Sequence, residues 1–187
     1  MVDIGLDIST ACTGVCVLAE DGTLLELQFV KLSHLDGLWK KADEIRSVLS
    51  GVHRDLGSTQ VRHIFVEENL QMFRRGLSSA KTLTTLSRFN GVVSYVAREI
   101  FSVEPISINV NHGRKAVGLK LDRKDKERNT KQQVLDWVQD QLAEVAYPWP
   151  TKTLKSGPRK GITILEPGCF DMADAYVTCR AGQVSCT

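Results

Sequence analysis

The chain has 187 residues, a length that fits one domain over residues 1–187 with a single hydrophobic core. Apolar residues make up 42% and charged residues 25%, and the formal net charge is +2, all ordinary for a globular protein in water. No apolar stretch approaches the roughly 18 residues needed to span a bilayer, so the composition excludes a membrane-spanning protein.

Cysteine usage and the N-terminus predict the compartment. The five cysteines are an odd number and include no C-x-x-C pair, which argues against a zinc site and against a disulfide framework. The chain starts directly with a predicted strand containing the acidic Asp3, without the basic segment of a signal or transit peptide. We therefore expect an intracellular protein of a reducing compartment.

The first half of the chain has three strand patterns, a helix, a strand and a helix. The predicted segments are, in order, strands 2–8, 13–20 and 24–31, helix 38–56, strand 61–67 and helix 78–101. Asp21-Gly22 is a hairpin signal between the second and third strands, and Gly57 is placed to end the first helix. Gly91 lies inside the second helix, which suggests close packing there.

The second half predicts one more strand and three helices. The predicted segments are strand 105–110, a short helix 111–117 capped by Asn111, a helix from Thr130 to Leu142, and a C-terminal helix. The stretches 118–130 and 147–163 are basic and aperiodic, and we expect loops there, the first of them mobile. The order βββ-α-β-α-β-α-α-α predicts an α/β fold of the ribonuclease H-like type. Its mixed five-stranded sheet, with the first three strands antiparallel, would be flanked by helices.

Four carboxylates stand at the ends of these predicted elements. Asp7 and Glu67 close buried strands, and Asp171 and Asp174 are spaced i,i+3 on one face of the last helix. Taken singly, Asp7 is better explained as a turn residue and Asp171 as an ordinary helix N-cap. Because alternation sends neighbouring strand residues to opposite faces, either Glu67 or Glu68 could belong to the group; Glu67, which directly ends the strand, is preferred.

The four carboxylates lie on three different core elements, and this combination predicts a bound cation. Unpaired carboxylates are costly to bury, and hard oxygen ligands favour magnesium or manganese over zinc.

Positive charge is concentrated in one part of the chain. Between Arg114 and Lys160 there are 12 basic and 6 acidic residues, a net +6, whereas the remainder of the chain has a net −4. A basic region beside an acidic metal site suits a polyanionic substrate. The alternative is that these basic stretches are solvated loops.

Several motifs together resemble RuvC-type Holliday junction resolvases. The matching segments, in chain order, are Ile4-Gly5-Leu6-Asp7-Ile8-Ser9 with Thr13-Gly14, Val66-Glu67, Asn90-Gly91-Val92-Val93, Arg114-Lys115-Ala116-Val117-Gly118, Thr130-Lys131-Gln132-Gln133-Val134 and Asp171-Met172-Ala173-Asp174-Ala175. The resemblance spans almost the whole chain. It implies a homodimeric, magnesium-dependent endonuclease that cuts two opposed strands of a four-way DNA junction, and manganese is expected to substitute for magnesium.

The resemblance also implies roles for individual residues. Asp7, Glu67, Asp171 and Asp174 would hold two magnesium ions, with Asp7 bridging them, and Lys131 would contact DNA beside the active site. Further DNA contacts are expected from Arg114 and Lys115 and from an aromatic-basic segment after Glu67, namely Phe73, Arg74 and Arg75. For Phe73 the alternative is a ring folded back onto the core. His112 is a further candidate for a phosphate contact.

The chain departs from the bacterial pattern in places. Asp7-Ile8-Ser9 stands where bacterial members commonly have Asp-Pro-Gly, and the segments after Glu67 and before Asp171 look longer. These departures suggest a viral, phage or organellar variant.

Three rival functions share parts of the pattern. The first strand and turn also resemble the phosphate-binding turn of the actin, sugar-kinase and heat-shock ATPase superfamily, which needs two such domains. A ribonuclease H acting on RNA–DNA hybrids, or a nuclease on other branched DNA, would use similar carboxylates. A non-catalytic nucleic-acid-binding relative would have little reason to keep all four.

A dimer interface is expected on the helix predicted at 78–101. Its apolar stripe is wider than one sheet face would cover, and Val93 and Val96 are the residues we expect in that interface.

Overall fold

The computed structural model describes residues 1–68 and 80–186. The central strands are β1 (Val2–Ile8), β2 (Cys12–Ala19), β3 (Leu24–Lys31), β4 (Val61–Glu67) and β5 (Pro105–Ile108). The helices are α1 (Leu38–Leu56), α2 (Ala80–Phe101), α3 (Val110–Ala116), α4 (Thr130–Gln141) and α5 (Cys169–Ser185). Two further short strands, β6 (Thr151–Thr153) and β7 (Thr163–Leu165), form a separate hairpin.

The five central strands form one mixed sheet in the order β3-β2-β1-β4-β5. The first three strands are antiparallel neighbours, whereas β4 runs parallel to both β1 and β5. The predicted mixed sheet with its antiparallel start is therefore confirmed. Because β1 and β4 are parallel, their carboxyl ends meet at the same end of the sheet, which is where Asp7 and Glu67 lie.

Alternation along the strands builds a separate core on each face of the sheet. On one face, Ile4 and Leu6 of β1 pack with the buried sides of α1 and α2. On the other face, Phe65 of β4 packs with the buried sides of α4 and α5. The two-residue period of β1 therefore directs Gly5, between Ile4 and Leu6, toward α5.

Helix α5 lies unusually close to the sheet because small residues face it. A Cβ on Gly5 would collide with the backbone of Ala175 and Cys179, and a Cβ on Gly14 would collide with the backbone of Asp171. Most of α5 is buried, including Asp174, so this helix is covered nearly all round. This contact holds the N-terminal turn of α5 against the carboxyl end of β1.

The structure corrects several details of the predicted elements. The stretch 147–163 is not a plain loop, since it contains β6 and the first residue of β7. The short helix begins at Val110, and its N-cap is Asn109 rather than Asn111, because the Asn109 side chain accepts bonds from the next turn. The prediction of close packing at Gly91 is wrong for the described part of the chain, where a Cβ on this residue would meet nothing within 4 Å.

Val93 and Val96 do not lie on an exposed face. Their exposed fractions are 0% and 4%, and both belong to the core between α2 and the sheet. The expectation that these two valines form a dimer interface is therefore wrong. Among the described residues no helix is long and apolar enough to cross a membrane.

Candidate active site

Asp7 and Glu67 lie side by side at the carboxyl end of the sheet. Leu6 of β1 pairs with Val66 of β4 in parallel register, so the next residue of each strand, Asp7 and Glu67, continues the pair. Glu67 is two residues beyond Phe65, whose side chain is on the α5 face, and alternation directs Glu67 to the same face.

Glu68 belongs to a different neighbourhood. Its backbone N–H donates to the carbonyl of Ile108, and its carboxylate accepts a hydrogen bond from Asn109 at 3.0 Å. The structure therefore brings Glu67, and not Glu68, toward Asp7.

Asp171 and Asp174 reach this point from α5. Asp171 is in the first turn of the helix, and Asp174 lies one turn later with only 7% of its surface exposed. Because Gly14 pairs with Asp7 across the β1–β2 ladder and packs against the backbone of Asp171, the first turn of α5 is held beside the end of β1.

The four carboxylates act on one another electrostatically. Burial raises the pKa of Asp7 well above its usual value, and repulsion from Glu67, Asp174 and Asp171 raises it further. Burial, followed by repulsion from Asp174, raises the pKa of Glu67 to about 7. Burial also raises the pKa of Asp171. Such mutual effects require short separations in a poorly solvated place, which is the environment of a cation site.

Two cations partly neutralise this negative charge. Nη2 of Arg114, on α3, donates to Oδ1 of Asp174 at 3.0 Å, and the two side chains are only 15% and 10% exposed. Nε of Arg114 is buried and has no hydrogen-bond partner among the described residues. Lys131, on the first turn of α4, counteracts the raised pKa values of Asp7, Glu67 and Asp171.

The donor chemistry of this cluster fits a hard divalent cation. Carboxylate oxygens are the preferred ligands of magnesium and manganese, and the four groups, once ionised, carry more negative charge than their two basic neighbours offset. Within residues 1–68 and 80–186, however, no three acidic, histidine or cysteine side chains stand close enough together to enclose one ion. Asp174 is held by Arg114 instead. Binding a metal would require these side chains to rotate toward one another.

Two clefts with basic walls flank the carboxylates. One, of about 290 Å³, is lined by Arg114 and Lys115 of α3 and by Lys120 and Arg123 of the following segment. The other, of about 490 Å³, contains Lys31, Lys131 and Lys152 and includes Asp171 in its wall.

Of the other residues predicted to contact DNA, the structure describes only His112. His112 is exposed on α3 near the first of these clefts. Phe73, Arg74 and Arg75 lie outside the described residues.

Sequence reasoning missed two contacts within the cluster. Arg114 was expected to bind DNA, but the structure shows it paired with Asp174, 60 residues away along the chain. The thiol of Cys12, at the start of β2, lies near Asp171 and opposes the rise of its pKa. Neither contact has a spacing signal, because each joins elements that meet only after the sheet has formed.

Two solved structures of RuvC from Thermus thermophilus are similar to the whole chain. The first has 21% sequence identity and a TM-score of 0.60, and the alignment covers 100% of this chain and 95% of that one. The second is RuvC in complex with a Holliday junction substrate, with 20% identity, a TM-score of 0.64 and coverage of 100% and 94%. No protein-family model and no curated protein matches the sequence. The likeness confirms that the chain has the ribonuclease H-like fold of RuvC.

Proposed function

We propose that this protein is a structure-selective endonuclease that resolves four-way DNA junctions by hydrolysing phosphodiester bonds in two opposed strands. The observation that carries the proposal is the gathering of four carboxylates from β1, β4 and α5 at one end of the sheet, between two basic clefts. The fold is shared over the whole chain with RuvC, of which one solved structure contains a Holliday junction. That likeness supports the same substrate here.

Asp7, Glu67, Asp171 and Asp174 would hold magnesium, two ions per site, with manganese as a substitute. When bound, the ions would activate a water and stabilise the leaving 3′-oxygen of the phosphodiester. The chain contributes no covalent nucleophile in this proposal. Its part is to hold hard oxygen donors on rigid strand ends and on α5, where their positions are set by the packing of the sheet.

The basic residues around the carboxylates would bind the DNA backbone. Lys115 lines the smaller cleft and Lys131 the larger one, both are exposed, and an ammonium group at each would neutralise phosphates near the bond to be cut. Arg114 is different, because its guanidinium already pairs with Asp174. It would become available to a phosphate when Asp174 turns toward a metal.

The decisive experiment compares three substrates in magnesium: an immobile four-way junction, a linear duplex of the same sequence and an RNA–DNA hybrid. We expect symmetric cuts in opposed strands of the junction and little cleavage of the other two. Preferential degradation of the hybrid would instead assign the protein to the ribonucleases H. Equal cleavage of all three would remove the claim of structure selectivity.

A further inference from the structure

We propose that the larger cleft is a pocket for one base of the cleaved strand, unstacked beside the scissile phosphate, and that it gives cleavage its sequence preference. The inference rests on the junction-cleaving function proposed above and assigns a further contact to its substrate. The cleft measures about 490 Å³. This volume lies within the roughly 300–1,000 Å³ typical of sites that bind small molecules.

The position of the cleft places any occupant next to the carboxylates. Its walls come from the turn after β1, the end of β3, the first turn of α4 and the start of α5. Asp171 and Lys131 belong both to these walls and to the carboxylate cluster. A group bound in the cleft would therefore neighbour the phosphate that the carboxylates face.

The apolar part of the cleft suits the flat face of a base. Phe29 and Phe170 line it together with Pro167 and Ala11, and both phenylalanines are only half-buried. The Phe29 ring packs so tightly on Gly168 that a Cβ there would collide with it. One side of the ring therefore already packs on the residue that precedes α5. Aromatic side chains of this kind stack on bases of any sequence.

The polar part of the cleft can distinguish one base from another. Lys152 Nζ and Glu166 Oε2 lie 3.6 Å apart, with their side chains 36% and 28% exposed, so a donor and an acceptor stand side by side. Bases differ in the placement of amino donors and keto acceptors on their edges. A donor and an acceptor side by side can therefore hydrogen-bond to one base better than to another. Lys31 and Lys131 are exposed on the rim, where phosphates of the same strand would be neutralised.

The first test measures junction binding with calcium in place of magnesium, so that cleavage does not interfere. A set of junctions carries one abasic nucleotide each, moved stepwise through the positions around the cut. For the wild type we expect a loss of about fivefold or more in affinity at one position adjacent to the cut, the lower end of what stacking of one base on an aromatic contributes.

Two variants connect this loss to the cleft. Phe170→Leu keeps an apolar side chain but removes the ring, and it should weaken binding of the intact junction while making the abasic substitution neutral. Trp39→Leu is the matched control, because Trp39 is 69% exposed and lies on α1, which packs on the opposite face of the sheet. It should behave like the wild type. Identical behaviour of the two variants would overturn the proposal.

The second test concerns the base edge. Cleavage of a junction library randomised around the cut should reveal a preferred base for the wild type and a different preference for Glu166→Gln, which replaces one acceptor by a donor. The wild type could bind and cut junctions, yet show equal abasic effects at every position and the same base preference as Glu166→Gln. That result would contradict the pocket but not the proposed function. A wild type that neither binds nor cuts junctions would instead remove the proposed function itself. Thermal stabilisation by millimolar deoxynucleoside monophosphates without any position-specific abasic effect would assign the cleft to a free nucleotide, against the proposal.

Discussion

Asp7 is the carboxylate on which the charges of the other three converge, since Glu67, Asp174 and Asp171 all raise its pKa. We predict that Asp7→Asn abolishes magnesium-dependent junction cleavage. The amide keeps the shape of the side chain but loses the charge that holds a hard dication. The loss of rate should exceed the roughly 10- to 100-fold that removal of a mere supporting residue costs at a metal site. Junction binding, measured by gel shift, should survive, and wild-type cleavage by the variant would disprove the proposed site.

The raised pKa values predict how pH affects the metal-free protein. Burial and repulsion raise the pKa of Glu67 to about 7 and that of Asp7 well above its usual value. In the window between the unfolded and folded values the native state binds more protons than the unfolded state, so stability falls as pH rises. Asp3 behaves oppositely: burial disfavours its charge, but hydrogen bonds from Arg62 and Gln183 outweigh this and lower its pKa, so it acts only at more acidic pH.

The melting temperature measured in a chelator should therefore decrease from about pH 5 to about pH 8. Glu67→Gln should flatten this decrease, because the variant has one carboxylate fewer to ionise. Magnesium should raise the melting temperature most at the alkaline end, where the carboxylates are free of protons. A melting temperature that stays constant over this range, with and without magnesium, would contradict the convergence of the four groups.

Because Arg114 pairs with Asp174, we expect its guanidinium to compete with the metal for this carboxylate. Arg114→Met removes the partner of a nearly buried carboxylate, so the metal-free protein should lose on the order of a few kcal/mol of stability. Magnesium should then raise the melting temperature more in the variant than in the wild type, because Asp174 is no longer held at 3.0 Å by the guanidinium. Lys115→Met, at the exposed next residue, is the control and should change neither quantity. An equal magnesium effect in all three proteins would show that Arg114 does not compete.

At the scale of elements, the close contact of α5 with β1 and β2 holds the site together. Gly14→Ala places a methyl group against the backbone of Asp171, which cannot move without displacing the whole helix. We expect destabilisation of at least the roughly 1–3 kcal/mol usual for overpacking, measured by urea unfolding, and a weaker response to magnesium. Gly51→Ala in α1 is the matched control.

A Cβ on Gly51 meets its nearest neighbour, the end of the Arg54 side chain, at 3.7 Å, which is ordinary contact. Replacing Gly51 by alanine should stabilise the protein by about 1 kcal/mol, the usual difference between the two residues in an exposed helix interior. Equal effects of the two substitutions would mean that α5 can shift away from the sheet without cost.

The bounds of some strands and helices could be predicted from the sequence, whereas other elements were missed. Strands with a clear two-residue period, such as β1, were predicted within a residue, and with them the positions of Asp7 and Glu67 at strand ends. The three-residue strands β6 and β7 were missed because so short a segment has no measurable period, and their surroundings are rich in proline and glycine. The pairing of Arg114 with Asp174 was missed for another reason. It depends on how α3 docks on α5, through Gly113 against Ala181, and no local pattern encodes that contact.

At the scale of the whole molecule, a junction with two equivalent strands calls for two active sites. An isologous dimer supplies them, and a surface on α2 stays our proposal for its interface, although not through Val93 and Val96, which are buried within the chain. Tyr95, on the outward side of the same helix, is 60% exposed. An exposed aromatic residue on the solvent side of a helix, whose opposite side packs against the core, is a suitable interface anchor.

If the protein is the dimer proposed here, Tyr95→Glu should convert it to a monomer, because a charge desolvated at an interface without a partner is strongly unfavourable. Light scattering should give the mass of one chain, and the variant should nick junctions without resolving them, since its two cuts are no longer coordinated. Leu25→Glu is the control: Leu25 is 52% exposed on β3, at the other edge of the sheet, and the variant should remain dimeric and active. A Tyr95→Glu protein that is dimeric and fully active would place the interface elsewhere. A wild-type monomer that resolves junctions completely would show that two coordinated cuts do not require two-fold symmetry in the protein.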